Sequence, residues 1–287
     1  MSQATIVTTP CKINLHLGVH QGRDERGYHR VDSVMVPVAL FDTVSVERAP
    51  ELAVSFSPEL GIPAEKTGVW KAATMLADAL DVQPLVSVHV EACIPERAGL
   101  GGSSADAGAT LRALAELWGV GPLDQRVVSV ARRVGADVAF FLNPVPSLYL
   151  GAGDVLDRTF PGLEMPVVLV MPRAEGGSTP EAYAEFDRNG EEPAGYEDVC
   201  AALSAGDIRG VAARLHNNLA GAAMALCPPI ADVLGWLQEQ DGVLAAQVTG
   251  SGTCSFAICE SDGAAREVAS RAKTERGWHA WATKTLA

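Results

Sequence analysis

The sequence predicts a mixed α/β protein of two domains. Length is the first reason: 287 residues are about two domains' worth at ~150 residues each. Patterning is the second. Period-two alternation recurs through the first half, whereas helix-period segments crowd the second. The third is composition, 48% apolar and 20% charged, which is that of a chain with a buried core and excludes a disordered one.

The elements follow in order. Lys12, Asn14, His16 and Gly18 alternate with Ile13, Leu15, Leu17 and Val19, so residues 12–19 read as a half-buried strand with a polar face. Val34, Val36 and Val38, then Val44 and Val46, then Val86, Val88 and Val90 repeat the pattern. Residues 65–80 read as a helix with Val69, Ala72, Ala73, Leu76 and Leu80 toward one face. A second helix is expected over 103–118, with Leu111, Leu114, Leu117 and Trp118 inward. The run from Pro166 to Met171 is a buried strand by its length and β-branching. Helices are expected near 180–187, 197–204, 207–225 and 229–240, then strands near 244–248 and 254–259, a helix at 263–276 and a strand at 278–284. Phe160-Pro161-Gly162-Leu163-Glu164 reads as a linker, which sets the expected domains at 1–160 and 161–287.

Charge narrows the function. Lys plus Arg is 22 and Asp plus Glu is 35, a net charge of −13. So acidic a surface argues against nucleic acid and anionic membranes as partners, and leaves a small-molecule substrate. The first residues carry no basic segment, and Lys12 interrupts the first apolar stretch. The longest uncharged run, Gly242 to Cys259, is broken by glycines and polar residues, so no membrane span is expected. Six scattered cysteines without a C-x-x-C pair read as reduced, buried thiols of a cytoplasmic protein. No residue spacing points to a metal site.

The strongest local motif is Pro95-Glu96-Arg97-Ala98-Gly99-Leu100-Gly101-Gly102-Ser103-Ser104-Ala105, between the strand ending at Val90 and the helix at 103–118. Glycines let a backbone approach a phosphate, and a helix start presents unpaired N–H groups to it. An ordinary turn with a serine cap is the plainer alternative. None of the five lysines follows a glycine, so this is not a Walker A loop. Lys12 and Asp137 are the charged candidates for chemistry. A carboxylate can orient or deprotonate a hydroxyl, and a lysine can stabilise charge on a transferring phosphoryl group. A solvated strand face for Lys12 and a turn role for Asp137 stay open. Thr249-Gly250-Ser251-Gly252 is either a ligand-lining turn or a plain hairpin. Gly27-Tyr28-His29 follows the charged loop Arg23 to Arg26 and offers a stacking ring and a hydrogen-bonding ring, or an exposed turn with no role.

Taken together, Pro10-Cys11-Lys12-Ile13-Asn14-Leu15, the loop at 99–105 and Thr249-Gly250-Ser251-Gly252 resemble the three motifs of the GHMP small-molecule kinases in order. With Gly27-Tyr28-His29 and Gly135-Ala136-Asp137-Val138, the chain is similar to the branch acting on 4-diphosphocytidyl-2-C-methyl-D-erythritol, in non-mevalonate isoprenoid synthesis. The resemblance spans about residues 8–260. It implies the two-domain GHMP kinase fold with the active site in the cleft between the domains. ATP with Mg2+ would phosphorylate the 2-hydroxyl of the substrate, by a monomer or homodimer. Asp137 would be the base, paired with Lys12. Pro95, Ala98, Gly99, Leu100, Gly101, Gly102, Ser103, Ser104 and Thr67 would bind ATP. Asn14 would position the substrate, Tyr28 and His29 would read the cytosine, Thr179 and Tyr183 would form the opposite wall, and Gly250, Ser251 and Gly252 would back the substrate phosphates.

The chain also departs from the family pattern. Ser103 stands where a third glycine is usual, Ala105 where the second serine is, and Thr67 where an adenine-pocket Asn is. Asn143-Pro144 replaces a glycine pair, and Asn217-Asn218 replaces Asn-Asp. Two competitors remain: a relative acting on homoserine or mevalonate, which has no use for a cytosine clamp, and a non-catalytic binding protein on the same fold.

Overall fold

The structure, a computed structural model, describes residues 4–25 and 27–287; Arg26 of the charged loop lies outside them. In chain order the elements are β1 (Thr5–Val19), β2 (Val31–Arg48), β3 (Ala53–Ser57), α1 (Gly68–Leu80), β4 (Val86–Glu91), α2 (Gly102–Leu117), α3 (Gln125–Val134), β5 (Ser147–Leu150), β6 (Val155–Thr159) and β7 (Pro166–Met171). Then come α4 (Thr179–Asn189), α5 (Glu197–Ser204), α6 (Ile208–Ala212), β8 (His216–Asn217), α7 (Ala220–Leu226), α8 (Pro229–Gln238), β9 (Val243–Val248), β10 (Ser255–Cys259), α9 (Asp262–Arg276) and β11 (His279–Lys284). Short 3-10 helices cover Ala64–Lys66 and Ala136–Leu142.

The chain forms two compact units that interleave along the sequence, whereas the sequence reading set two consecutive segments meeting at 160/161. One holds the chain up to Cys11, Leu40–Glu96 and Gly101–Pro144; the other holds Lys12–Ala39, Arg97–Leu100 and Val145–Ala287. The strands β1 and β2 are long enough to give residues to both.

In the first unit β4 pairs antiparallel with Thr43–Arg48 of β2 and parallel with β3. Val44 and Val46, with Val86, Val88 and Val90, turn one apolar face to α1, α2 and α3. Period-two burial on β4 and a fully buried α2 stripe of Ala107, Leu111, Leu114 and Ala115 close that core. Gly108 permits a close approach: a Cβ there would lie 2.5 Å from Cβ of Phe141, in the 3-10 helix that carries Asp137.

A buried acid pair holds the chain just before the glycine loop. Asp42, on β2, accepts N–H bonds from Cys93 (2.5 Å) and Ile94 (2.8 Å) on one oxygen. Asp106, on α2, faces it through a carboxyl–carboxylate hydrogen bond. Burial raises both groups, but the two backbone donors favour charge on Asp42. The proton therefore sits on Asp106, whose pKa is pushed up to about 8 by burial and then by the Asp42 charge.

In the second unit β11, β7, β10 and β9 form an antiparallel sheet in that order. Val168 and Val170, with Ala257 and Cys259, meet Val233 and Leu237 of α8 and Val268 and Ala272 of α9. His16 and Leu17 of β1 pair parallel with β8, and Ser33–Met35 of β2 pair antiparallel with β5. A smaller cluster joins Leu17, Val19 and Val31 to Ala182 and Phe186 of α4.

Several expectations are corrected. The strand expected half-buried over 12–19 starts at Thr5, and its polar face is buried too: Lys12, Asn14 and His16 are 3%, 2% and 0% exposed. Lys12 and Asn14 are satisfied there by hydrogen bonds, and burial lowers the His16 pKa to about 4, which keeps that ring neutral. The helix expected over 207–225 breaks between α6 and α7. Its backbone leaves the helical path so that Asn217 can donate to the carbonyls of Val248 and Gly250, and Asn218 to those of Val19 and Glu191. The sequence reading does not include β3, β5 and β6, which are only four or five residues long. Five cysteines are buried but Cys93 is exposed; burial pushes the Cys254 thiol up to about 12. Among the described residues, no helix is long and apolar enough to cross a membrane.

Two tests follow from the first unit. Gly108→Ala forces Phe141 aside and is expected to lower stability by about 1–3 kcal/mol in denaturant unfolding, the cost of overpacking. Asp106 keeps its proton to about pH 8 when folded but loses it near ~3.9 when unfolded. Its stabilising contribution is full below the lower value and is lost as pH rises through the upper one. Asp106→Asn, which stays neutral, is expected to flatten the fall in Tm between about pH 5 and 8.

Candidate active site

The glycine motifs meet backbone to backbone. Thr253 and Cys254 donate N–H bonds to the carbonyls of Arg97 and Ala98, both at 3.1 Å. Gly99 has φ +71, and a Cβ on it would lie 2.1 Å from the Thr249 carbonyl oxygen. Gly250 has φ +57, and a Cβ there would lie 2.9 Å from the Gly99 carbonyl oxygen. Only glycine fits either place.

Asn14 organises this contact. Its Oδ1 accepts from Lys12 Nζ (2.7 Å), the Gly250 N–H (3.0 Å) and Thr249 Oγ1 (3.2 Å), while its Nδ2 donates to Ser33 Oγ (2.9 Å). The Lys12 N–H donates to the Leu100 carbonyl at 2.9 Å. The strand β1 thereby holds both glycine segments, and the Lys12 ammonium is aimed by Asn14 rather than left to solvent.

Further along the same unit, α4 starts with a capping box, Ser178 with Glu181, and with Pro180 in its first turn. Tyr183, Phe186 and Asp187 then share one face of the helix. The buried His29 ring packs on Tyr183 with centroids 5.3 Å apart and meets Phe186 edge-on at 5.9 Å. Gly27 turns at φ +82, and the Tyr28 N–H donates to Asp24 Oδ1 at 2.9 Å, which leaves the Tyr28 ring 57% exposed. The hydroxyls of Thr179 and Ser251, 3.0 Å apart, tie the start of α4 to the glycine turn.

In the other unit Gly101, at φ +79, caps α2 without a side-chain hydrogen bond, so no side chain at that position takes up the first-turn N–H groups. Gly102 packs on Ile94, Ser103 is exposed and Ser104 half-buried, while Ala105 is buried, where a serine hydroxyl would lose its hydration. Pro95 is half-buried at the entry to the loop. Thr67 caps α1, accepting from the Trp70 N–H and donating to the Ala64 carbonyl at 2.6 Å. Its neighbour Gly68 abuts Ser103. Asp137 is half-buried in the first turn of its 3-10 helix, which the buried Phe140 and Phe141 anchor.

Thus Lys12, Asn14, Gly99, Gly250, Ser251 and Thr179 form one bonded frame, with His29 and Tyr183 as its aromatic extension. Thr67, Gly101, Gly102, Ser103, Ser104 and Asp137 belong to the other unit. Sequence reasoning named Thr249 and Asn217 only within their motifs, and missed Ser33, Asp42, Asp106 and Asp187 as supporting groups. Only Asp42 left a trace, a charge inside a valine-rich alternation.

Comparison with known proteins identifies the family. The family model of the GHMP kinases N terminal domain matches residues 68–143, and that of the GHMP kinases C terminal matches 200–277. The 4-diphosphocytidyl-2-C-methyl-D-erythritol kinase of Desulfitobacterium hafniense (strain Y51) is 34% identical over 279 residues, 96% of this chain and 93% of that one. That of Rhodococcus jostii (strain RHA1) is 36% identical over 270 residues, 91% of this chain and 86% of that one. A crystal structure of 4-(cytidine 5'-diphospho)-2C-methyl-D-erythritol kinase superposes with a TM-score of 0.77 at 30% identity, covering 98% of this chain and 99% of that one. A homoserine kinase from Cytophaga hutchinsonii, at 18% identity and a TM-score of 0.74, shares the fold. The chain belongs to the GHMP kinase family, among the 4-diphosphocytidyl-2-C-methyl-D-erythritol kinases.

Proposed function

We propose that the protein transfers the γ-phosphoryl group of ATP to the 2-hydroxyl of 4-diphosphocytidyl-2-C-methyl-D-erythritol, a cytoplasmic step of non-mevalonate isoprenoid synthesis. The observation that carries this reading is the Thr179–Ser251 contact of 3.0 Å. It joins an aromatic, histidine-bearing wall to a glycine turn suited to phosphates. A substrate with a base at one end and a diphosphate next to it uses both; homoserine or mevalonate has no base for the wall.

The reaction needs positioning and charge stabilisation more than covalent catalysis. Asp137 takes the proton of the attacking hydroxyl as that oxygen bonds to the γ-phosphorus and the bond to the β-bridging oxygen breaks, releasing ADP. Lys12, oriented by Asn14, stabilises the charge that develops. The N–H groups of Gly101 to Ser104 bind the ATP phosphates, and Thr67 borders the adenine. Its hydroxyl is already committed to the α1 cap, so adenine is held mainly by shape. Tyr28 and Tyr183 sandwich the cytosine while His29 fixes its orientation. Magnesium bound with ATP would neutralise charge on its phosphates. The first-turn hydroxyls of Ser103 and Ser104 suit such an ion, and among the described residues no group of three or more His, Cys, Asp or Glu side chains is arranged to hold one alone.

The test is ADP release with ATP, magnesium and each of three acceptors. Turnover with the cytidyl substrate and none with homoserine or mevalonate is expected; turnover with either of the latter overturns the assignment. Asp137→Asn is expected to lower kcat by at least about 100-fold, the scale of general-base catalysis, with little change in KM. Tyr28→Ala is expected to weaken substrate binding by about 1–3 kcal/mol in calorimetry, the value of one base-stacking contact.

A further inference from the structure

Two aromatic walls set on different elements, one on the 21–28 loop and one on α4, bind a base well only if their separation is held. The contacts that hold it converge on Asp187. Its Oδ2 pairs with Arg23 Nη2 at 2.5 Å, and Arg23 Nη1 donates to the carbonyl of Gly27, the residue before Tyr28, at 3.3 Å. Its Oδ1 lies 3.0 Å from Nε2 of His29, against the edge of that ring. The other ring nitrogen, Nδ1, is 3.0 Å from the His20 carbonyl oxygen. A carbonyl oxygen only accepts, so Nδ1 donates to it and the ring is fixed at that end. Asp187 follows Tyr183 by one helical turn on α4, so one carboxylate binds the loop bearing Tyr28, the ring of His29 and the helix bearing Tyr183.

We propose that Asp187, with Arg23, is a positioning residue for base recognition: it sets the width of the slot between Tyr28 and Tyr183 and the orientation of His29. This rests on the cytosine-binding role given to those three residues above. Asp187 does not touch the substrate and acts through its neighbours. The guanidinium of Arg23 holds its carboxyl below the usual carboxylate range, so it stays charged through neutral pH. Both partners are well exposed, with 50% and 36% of their side chains accessible. Such a pair adds little to folding stability, so its effect belongs in recognition rather than in Tm.

The experiment compares wild type, Asp187→Ala, Arg23→Ala and the double variant. It reads steady-state kinetics with 4-diphosphocytidyl-2-C-methyl-D-erythritol, calorimetric binding of CDP and UDP, and Tm. Asp187→Ala is expected to raise KM for the cytidyl substrate about tenfold while kcat and KM for ATP hold, as for loss of a charge-assisted orienting contact. The preference for CDP over UDP should fall by a similar factor, with Tm nearly unchanged. Asp187→Asn keeps one acceptor oxygen and is expected to restore part of the preference. The double variant should match Asp187→Ala, because both changes break one clamp. An unchanged KM and CDP preference in Asp187→Ala overturns the proposal and leaves the kinase assignment standing. A fall in Tm that accounts for the whole loss also overturns it. Wild-type turnover without any preference for CDP over UDP removes the cytosine-reading role itself, and the proposal with it.

Discussion

The close seating of Gly99 on Thr249 and Gly250 is the constraint on which the rest of this site depends. Two peptide backbones meet with no room for a single methyl group between them. That contact lets β1 serve both segments at once, through the side chain of Asn14 and the N–H of Lys12. Were the segments further apart, Asn14 could not hold Gly250 and aim Lys12 together. The glycines are therefore structural in a specific sense: they set the distance at which one amide side chain can organise a lysine and a turn.

Around that contact the chain places polar groups inside the protein, and Asn14, Asn217 and Asp42 are hydrogen-bonded there. Asn217 gives both hydrogens of its amide to carbonyls flanking Thr249 and accepts from the Leu219 N–H on its oxygen. Asp42 neutralises two N–H groups ahead of the glycine loop in the same way. Buried amides and carboxylates of this kind cost desolvation but give a single geometry when fully bonded. They hold the loops that a catalyst of phosphoryl transfer needs in place before substrate arrives.

Much of this was legible in the sequence, and the limits have physical causes. Valine alternation at 44–46 and 86–90 marked the strands because one face is buried and period two is then enforced. The glycine-serine loop was legible because strand, loop and helix follow each other within a few residues. The polar face of β1 looked solvated because alternation reports polarity and not what covers it. The break at His216 and Asn217 was hidden because alanine and leucine on either side favour helix, and the hydrogen bonds that overrule them come from residues 30 or more positions away. Asp187 was illegible for the same reason: its partners, Arg23 and His29, are distant in sequence.

The interleaving of the two units bears on how this chain can be cut. The backbone passes from one unit to the other after Cys11, Ala39, Glu96, Leu100 and Pro144. Lys12 follows the first of these passages directly, and the glycine loop contains two more. No single cut separates the units: before Pro144 it divides the first, and directly after Pro144 it leaves the first whole but divides the second. Separating the two units therefore means dividing β1, β2 and the glycine loop themselves.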